Sequence, residues 1–248
     1  MPYFKINYMK TSIISLIVFS VITLSAKAQI SAGGTRVIDN HALGSFTYSR
    51  LTQEKVLALS GRALENNQFF TKDWVNGIVV TVRNETFSSG LLFLYDKANN
   101  ILYYKMKDSS SIMSVDSRNI SSFTLNSDKA HKFKPGRFYS TEFGDKYVEV
   151  LTLSDSGYAL IKAIKSTLPG EQISDVAVVT AQEPNTKYKD EISYYIYHNG
   201  VVYPVDLKKK SLVKNMTDDS TFISLLNEQN SDKITESSLA LLINQLNL

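Results

Sequence analysis

From Trp74 onward the sequence is a series of short apolar runs separated by turn residues, a pattern that favours antiparallel β-hairpins. The clearest signal is Asn199 followed by Gly200 between two runs rich in tyrosine, valine and isoleucine, because this pair readily adopts the backbone of a two-residue hairpin turn. Pro204 in the return arm cannot donate to a strand ladder, so we expect that arm at a sheet edge. The sequence therefore predicts a mainly β fold, an antiparallel meander or sandwich.

Three further pairs of apolar runs are separated by polar turns and predict additional strands. Alternation along one run places Leu102, Tyr104 and Met106 on a shared face, which we expect to face the core. Gly157 can supply a positive φ angle to the last of these turns. The paired runs are residues 91–95 with 101–106, 112–116 with 120–125, and 147–153 with 158–164, and an earlier strand covers residues 75–82.

After residue 208 the apolar spacing becomes helical. Asp219 can cap a helix that carries Phe222, Leu225 and Leu226, and Thr235 can cap a second helix. Two short helices cannot shield their own apolar stripes from water, so we expect both to pack on one face of the β region. Coiled-coil pairing between chains is the alternative. The stripe of the second helix is Leu239, Leu242, Ile243 and Leu246.

The first 28 residues have the pattern of a secretory signal peptide. Lys5 and Lys10 precede an apolar core at residues 13–24, and Ala26 and Ala28 match a signal peptidase site. A retained membrane anchor is the alternative, but this core is shorter than the roughly 20 residues that span a bilayer. The predicted order is a signal peptide (1–28), a loose N-terminal segment (29–73), an antiparallel β region (74–207) and a helical tail packed on it (208–248). Residues 180–190 are predicted to be a surface loop.

The charge and the cysteine content limit the function classes. The leader holds three of the 27 basic residues and no acid, so its removal leaves 24 basic and 24 acidic residues. A neutral chain argues against nucleic-acid binding. The chain contains no cysteine, which excludes disulfides and a lipoprotein anchor. We expect a periplasmic, secreted or cell-surface protein with no stable membrane span after signal cleavage.

Motifs for catalysis are absent from the sequence: there is no nucleophile elbow, zinc-binding helix or phosphate-binding glycine loop. His41, His131 and His198 fall in a loose segment, a polar turn and a hairpin tip, so we interpret them as surface or turn residues and expect no metal or cofactor. The alternative is a glycan or peptide hydrolase whose carboxylates converge only after folding.

Tyrosines in the predicted strands are the candidate binding residues. Tyr103, Tyr104, Tyr195 and Tyr197 are the candidates for an aromatic face that would stack on sugar rings or on a partner protein. Packing in the core and between strands is the alternative, and it is favoured. Adjacent tyrosines on a strand point to opposite faces, so Tyr103 and Tyr104 cannot share one.

Two polar clusters near the predicted tail have an ordinary structural interpretation. The lysine run at residues 208–210 can contact anionic polymers or lipid head groups, but a solvated junction between a strand and a helix is favoured in a neutral chain. Asp219 and Ser220 are interpreted as helix-capping residues, with a modification site as the alternative.

Several segments of this chain resemble a group of exported, β-rich Bacteroidota proteins to which no activity is assigned. The resemblance lies in LLFLYDKANNILYYK, YVEVLTLSDSGYALIK and SYYIYHNGVVYPVDLKKKSLVKNM, followed by two short helices, and it covers roughly residues 74–248. The AKAQ ending of the leader is also similar. Many relatives carry lysines after the YVEVL-like strand, whereas this chain has Ala159, Ala163 and Ser166. The resemblance implies architecture and compartment only.

These observations together predict an exported, non-catalytic cell-envelope protein that binds or scaffolds. The expected partners are an envelope glycan or another envelope protein, and no nucleic acid.

Overall fold

Two antiparallel sheets make up most of the described chain. A computed structural model describes residues 48–50, 67–152, 157–168, 187–229 and 232–248, all within the unit Arg36–Leu248. The predicted signal peptide, His41 and most of the 180–190 loop lie outside these residues. In chain order the strands β1–β12 are Tyr48–Arg50, Asn76–Thr81, Thr86–Phe87, Leu91–Asp96, Ile101–Met106, Met113–Val115, Ile120–Asn126, Ala130–Pro135, Tyr147–Val150, Ala159–Thr167, Lys189–His198 and Val201–Val205.

The smaller sheet has the strand order β1-β6-β5-β4, and the larger has the order β12-β11-β10-β9-β8-β7-β2-β3. Within the described ranges, all neighbouring strands pair antiparallel, so the predicted mainly β, antiparallel fold is confirmed. Val75 pairs with Phe93 of β4 immediately before β2 begins, so the chain passes there from the smaller sheet to the larger one.

The three strongest predicted hairpins are confirmed. Strands β4 and β5 pair from Leu91↔Met106 to Asp96↔Ile101, and β9 pairs with β10 after Gly157 turns at φ +83°. In the β11–β12 hairpin Asn199 and Gly200 have φ angles of +49° and +81°, the signature of a type I′ turn. Strand β12 is terminal in its sheet, as Pro204 predicted.

The predicted continuation of the meander from residues 112–116 to 120–125 is wrong, because β6 and β7 belong to different sheets. Asp116 caps a 3₁₀ turn over Ser117–Asn119 that redirects the chain between them. Val115 and Ile120 on either side of this turn both enter the core between the sheets. Burial of these two side chains explains why the chain changes sheet here.

The core between the two sheets is built from aromatic rings. Phe123 of β7 stacks on Phe133 of β8 with centroids 4.8 Å apart, and Tyr95 of β4 makes tilted or edge contacts with both. Leu102 and Tyr104 belong to this core and Met106 packs against it, so the predicted core face of β5 is confirmed.

Three α-helices follow the strands: α1 (Lys209–Asn215), α2 (Ser220–Glu228) and α3 (Glu236–Leu246). Both predicted helices are present and α1 is an additional one. Asp219 accepts a hydrogen bond from the Phe222 N–H, and Thr235 forms a capping box with Ser238, so the predicted caps are confirmed. The helices bury their apolar stripes against Leu160, Ile196 and Val205 of the larger sheet. None of the described helices is long and apolar enough to cross a membrane.

Candidate functional site

The four tyrosines predicted to form a binding face do not share one. Tyr103 and Tyr104 are 0% and 1% exposed, on opposite faces of β5. Tyr104 enters the core between the sheets, and Tyr103 packs with Phe69 and Leu94 on the other side. Core packing, the favoured interpretation, therefore applies to these two residues, and they are not part of an exposed aromatic face, because β5 is covered on both faces.

Tyr195 and Tyr197 lie on one face of β11 and are only partly buried. The Phe143 ring meets Tyr195 edge-on at 5.0 Å, and the Tyr139 ring meets Tyr197 edge-on at 5.3 Å. We call these four side chains the aromatic face. Its three tyrosines pack against a small buried cluster of Val148, Ala159 and Ile161.

A short excursion between β8 and β9, residues 136–144, carries Tyr139 and Phe143 onto this face. It consists of two 3₁₀ turns, Gly136–Phe138 and Thr141–Phe143. A Cβ atom on Gly136 would lie 2.3 Å from Phe143 Cβ and 3.0 Å from the Lys146 carbonyl oxygen. Only glycine therefore lets the two ends of the excursion approach each other this closely.

The base of the excursion is fixed by Arg137. Its guanidinium pairs with Asp145 at 2.5 Å and donates to the carbonyl oxygens of Ser117 and Ile120, in the connection between β6 and β7. These bonds to two other segments hold the excursion in place, so Tyr139 and Phe143 are presented from an anchored support.

Strand register continues the aromatic face to the edge of the sheet. Pro204 is opposite Tyr195 and Val202 is opposite Tyr197, so both β12 residues point to the same side. Tyr195 and Tyr197 are only partly buried, and their hydroxyls form no hydrogen bond with the described part of the chain. The face thus offers rings together with phenolic groups that can bond to a ligand.

Sequence reasoning missed Tyr139 and Phe143 because neither lies in an alternating strand run. The usable signal was their spacing inside GRFYSTEFG, where glycines at 136 and 144 bracket three aromatic residues. Gly144 has a φ angle of +55°, which favours glycine at the return turn.

A row of polar and charged side chains crosses the other face of the larger sheet, opposite the aromatic face. Register places Phe133, Glu149, Lys162 and Tyr194 directly opposite one another across β8–β11. Glu149 and Lys162 separate the core between the sheets from the core beneath the helices. We call Asp128, His131, Glu149, Lys162, Glu236 and Tyr194 the charged row.

The interpretation of His131 as a turn residue is wrong, since it lies buried in β8. Its Nδ1 atom is 2.6 Å from Glu149 Oε1, and its Nε2 atom is 3.1 Å from Asp128 Oδ1. Pairing with a carboxylate from the next strand supplies the partner that a buried imidazole requires.

Lys162 joins the two glutamates of the charged row. Its Nζ atom lies 3.3 Å from Glu149 Oε2 and 3.1 Å from Glu236 Oε2. Burial alone lowers the pKa of Lys162, but Glu149 and Glu236 more than offset this and raise it. Burial likewise opposes ionisation of Glu236, yet the hydrogen bonds from Lys162 and Tyr194 lower the pKa of its carboxyl.

This arrangement bears on the hydrolase alternative. Glycoside cleavage needs one carboxyl with a raised pKa to donate a proton. Glu149 and Glu236 are the carboxylates that the fold draws toward one cation, and Lys162 between them favours the ionised form of Glu236. The contacts of Lys162 and Tyr194 with Glu236 therefore tie helix α3 to the sheet, and the lowered pKa makes the Glu236 carboxyl unsuited to proton donation.

His198 lies at the end of β11 beside a shallow cleft of about 320 Å³. Its ring stacks on Tyr158 with centroids 3.7 Å apart, and the Tyr158 hydroxyl donates to Asp219 at 2.5 Å. Burial and this bond to Asp219 raise the pKa of Tyr158. Because Asp219 also caps α2, these contacts join the hairpin to the helix. Within the described ranges, no group of three or more His, Asp or Glu residues is placed to hold a metal.

The lysine run takes part in the junction between strand and helix. Lys208 precedes helix α1, and Lys209 Nζ donates to the carbonyl oxygen of Gln229 beyond α2. Lys208 and Lys210 are exposed.

Comparison with known proteins adds no relative: no protein-family model, curated protein or solved structure matches this chain.

Proposed function

We propose that this chain is an exported, non-catalytic cell-envelope protein that binds a glycan on the aromatic face. The proposal includes cleavage of a signal peptide after Ala28 and membership of the group of exported β-rich proteins that the sequence resembles. The observation that carries it is the pairing of Tyr139 with Tyr197 and of Phe143 with Tyr195, partly exposed on one side of a sheet.

Sugar recognition follows from the chemistry of these rings. An aromatic ring offers a flat apolar surface to the C–H face of a pyranose, and a phenol adds a hydroxyl that can donate to or accept from sugar hydroxyls. Tyr195 and Tyr197 are two residues apart on one strand, roughly 7 Å along its axis. That spacing suits neighbouring positions along an extended saccharide chain.

Rigid support favours a binding role for this face. Arg137 anchors the excursion that carries Tyr139 and Phe143, and Tyr195 and Tyr197 pack against the cluster that contains Ile161 of the neighbouring strand. A ligand that meets rings already held in position loses less binding free energy to the ordering of side chains.

Affinity electrophoresis in gels that contain soluble polysaccharides tests the proposal. The double variant Tyr195→Ala with Tyr197→Ala should lose retardation in the gel that retards the parent protein. Its matched control is Ile192→Ala with Val201→Ala, since both are exposed residues of the same hairpin whose alternation assigns them to the other face. The control should be retarded like the parent.

Two outcomes would contradict the proposal: no retardation of the parent in any polysaccharide gel, or equal retardation of the tyrosine variant and the parent. Thermal unfolding of each variant is measured in parallel to show that the fold is retained. Export is tested separately, by fractionation of cells that express the full chain and by N-terminal sequencing, with Gln29 expected as the first residue.

A further inference from the structure

We propose that this protein forms an intramolecular isopeptide bond between the side chains of Lys97 and Asn67, with Asp190 as the catalytic residue. The proposal comes from a polar cluster in which one carboxylate contacts both the lysine and the amide. This cluster is separate from the aromatic face and from the charged row, so the bond does not depend on glycan binding.

Backbone pairing brings residues 67 and 97 side by side. Phe69 pairs with Asp96 at the end of β4, and the Lys97 N–H donates to the carbonyl oxygen of Gln68 at 3.2 Å. Asn67 directly precedes this pairing and has a φ angle of +62°, a conformation that asparagine tolerates better than most residues. The two side chains therefore meet although they are 30 residues apart in the sequence.

The reacting groups are already in contact. The Lys97 side chain is only 5% exposed, and its Nζ atom lies 3.2 Å from Asn67 Oδ1 and 2.5 Å from Asp190 Oδ2. Asn67 Nδ2 donates to that same Asp190 oxygen at 3.2 Å and to the carbonyl oxygen of Tyr188 at 3.3 Å. Because a lysine only donates and the other two partners only accept, this network determines which end of the amide faces the lysine.

Asp190 is placed to move a proton between the two nitrogen atoms. Its Oδ2 atom contacts both Nζ of Lys97 and Nδ2 of Asn67, while Ser166 donates to its Oδ1 atom. Burial opposes ionisation of Asp190, yet the hydrogen bonds from Lys97, Ser166 and Asn67 lower the pKa of its carboxyl. Asp190 is therefore a carboxylate at neutral pH, the form that accepts a proton from Nζ and can pass it on to Nδ2.

The bond forms by amide exchange and needs no other reactant. Asp190 takes a proton from the Lys97 ammonium, and the neutral amine attacks Cγ of Asn67 to form a C–N bond. Asp190 then gives this proton to Nδ2, the Cγ–Nδ2 bond breaks, and the departing ammonia takes a second proton from the attacking nitrogen. An ammonium and a primary amide thus become a secondary amide and a free ammonium ion, so atoms and charge balance and nothing is oxidised or reduced.

The product would be retained and would constrain the chain. Asn67 is exposed, so the ammonium ion escapes to water and its dilution prevents the reverse reaction. The chain contains no cysteine, and a bond that closes a loop of 30 residues limits the unfolded chain as a disulfide does in other proteins.

Tryptic digestion and mass spectrometry test the proposal on folded protein purified from cells that express the full chain. Without the bond, trypsin cleaves after Lys97 and releases residues 63–72 and 84–97 as separate peptides. With the bond, Lys97 is no longer a cleavage site. We then expect one branched peptide that joins residues 63–72 to residues 84–105 and is lighter than the two by one ammonia.

Three variants assign the chemistry. Lys97→Arg should give no branched peptide, because a guanidinium keeps the charge but is not a nucleophile. Asp190→Asn should slow the linkage at least about a hundredfold, because an amide of the same shape cannot accept the proton. The matched control is Lys107→Arg, an exposed lysine beyond β5, which should link as fully as the parent.

Circular dichroism of each variant shows whether the fold is retained. A folded parent that yields only the separate peptides after prolonged incubation would overturn the inference, and this outcome requires no variant. The inference also fails if folded Asp190→Asn links as fast as the parent, or if the Lys107→Arg control loses the branched peptide.

Discussion

Two tyrosine-rich hairpins of this protein have similar sequences and opposite surroundings. In β5 the pair Tyr103–Tyr104 is buried on both faces, whereas in β11 the pair Tyr194–Tyr195 has one residue beside the helices and one on the partly exposed aromatic face. The residues are alike, and both strands are second from an edge of their sheet. The difference is that β5 has a buried cluster on each face, whereas one face of β11 is only partly covered. What packs on each face of the strand therefore decides whether a tyrosine is buried or accessible to a ligand.

The largest expected effect is a difference in the free energy of unfolding between alanine variants of these two hairpins. Tyr104→Ala should lower the free energy of unfolding by about 4 kcal/mol, because it removes a ring from a closed core. Tyr195→Ala should cost about 1 kcal/mol, because its ring is only partly buried. Urea unfolding measures both. Tyr104→Phe is the control and should cost under about 1 kcal/mol, since the hydroxyl contacts Met113 Sδ at 3.4 Å. Equal losses of unfolding free energy for the two alanine variants would contradict the difference in burial between β5 and β11.

The next effect concerns the face of β10 that Lys162 shares with Glu149 and with Glu236 of helix α3. Lys162→Met should lower the free energy of unfolding by about 3 kcal/mol, because Glu149 is 2% exposed and loses its ion pair with the lysine. Lys165→Met, on the other face of the same strand, should change it by about 0.5 kcal/mol or less. Chemical unfolding of both variants checks this, and an inert Lys162→Met would show that the charged row contributes nothing to stability.

A smaller effect tests whether the excursion of residues 136–144 holds Phe143 on the aromatic face. Gly136→Ala should cost about 2 kcal/mol, because the added methyl group overlaps Phe143 and must displace it. It should also alter the near-ultraviolet circular dichroism of the aromatic face and weaken polysaccharide retardation. A variant with unchanged spectrum and binding would show that the excursion does not position Phe143.

The smallest effect is a pH dependence from the link between α3 and the sheet. The pKa of Glu236 is lowered on folding, so its contribution is present above the unfolded value near 4.5 and is lost as pH falls through the folded value. The pKa of Lys162 is raised, so its contribution is complete below 10.5 and declines above it. Because Glu236 is about one quarter exposed, Glu236→Gln should remove about 0.5 kcal/mol at pH 7 and less below pH 4.

Urea unfolding of the parent and of Glu236→Gln at pH 3.5, 5 and 7 measures that difference. A constant difference across the three pH values would contradict the ionic link between Lys162 and Glu236.

Much of the fold was predictable because its signals are local. Asn199–Gly200 specified a turn, Pro204 specified an edge, and Asp219 and Thr235 specified helix starts, each through backbone chemistry that acts within a few residues. The exchange of sheets at Asp116 was not predictable, since it depends on which core receives Val115 and Ile120.

The candidate site was only half predictable for the same reason. Tyr195 and Tyr197 stood out by alternation, but Tyr139 and Phe143 lie in an irregular excursion whose position depends on Arg137 bonds to another connection. The burial of His131 against Glu149 likewise requires strands β8 and β9 to be adjacent, which no single run of residues reveals.

The sequence by itself determined where this chain turns, where it caps its helices and which side chains alternate along each strand, because these depend on neighbours a few residues away. The tertiary structure alone decided which alternating face is covered. It placed β5 between two cores and set the excursion with Tyr139 and Phe143 over β11, because coverage and proximity depend on contacts between residues far apart in the chain.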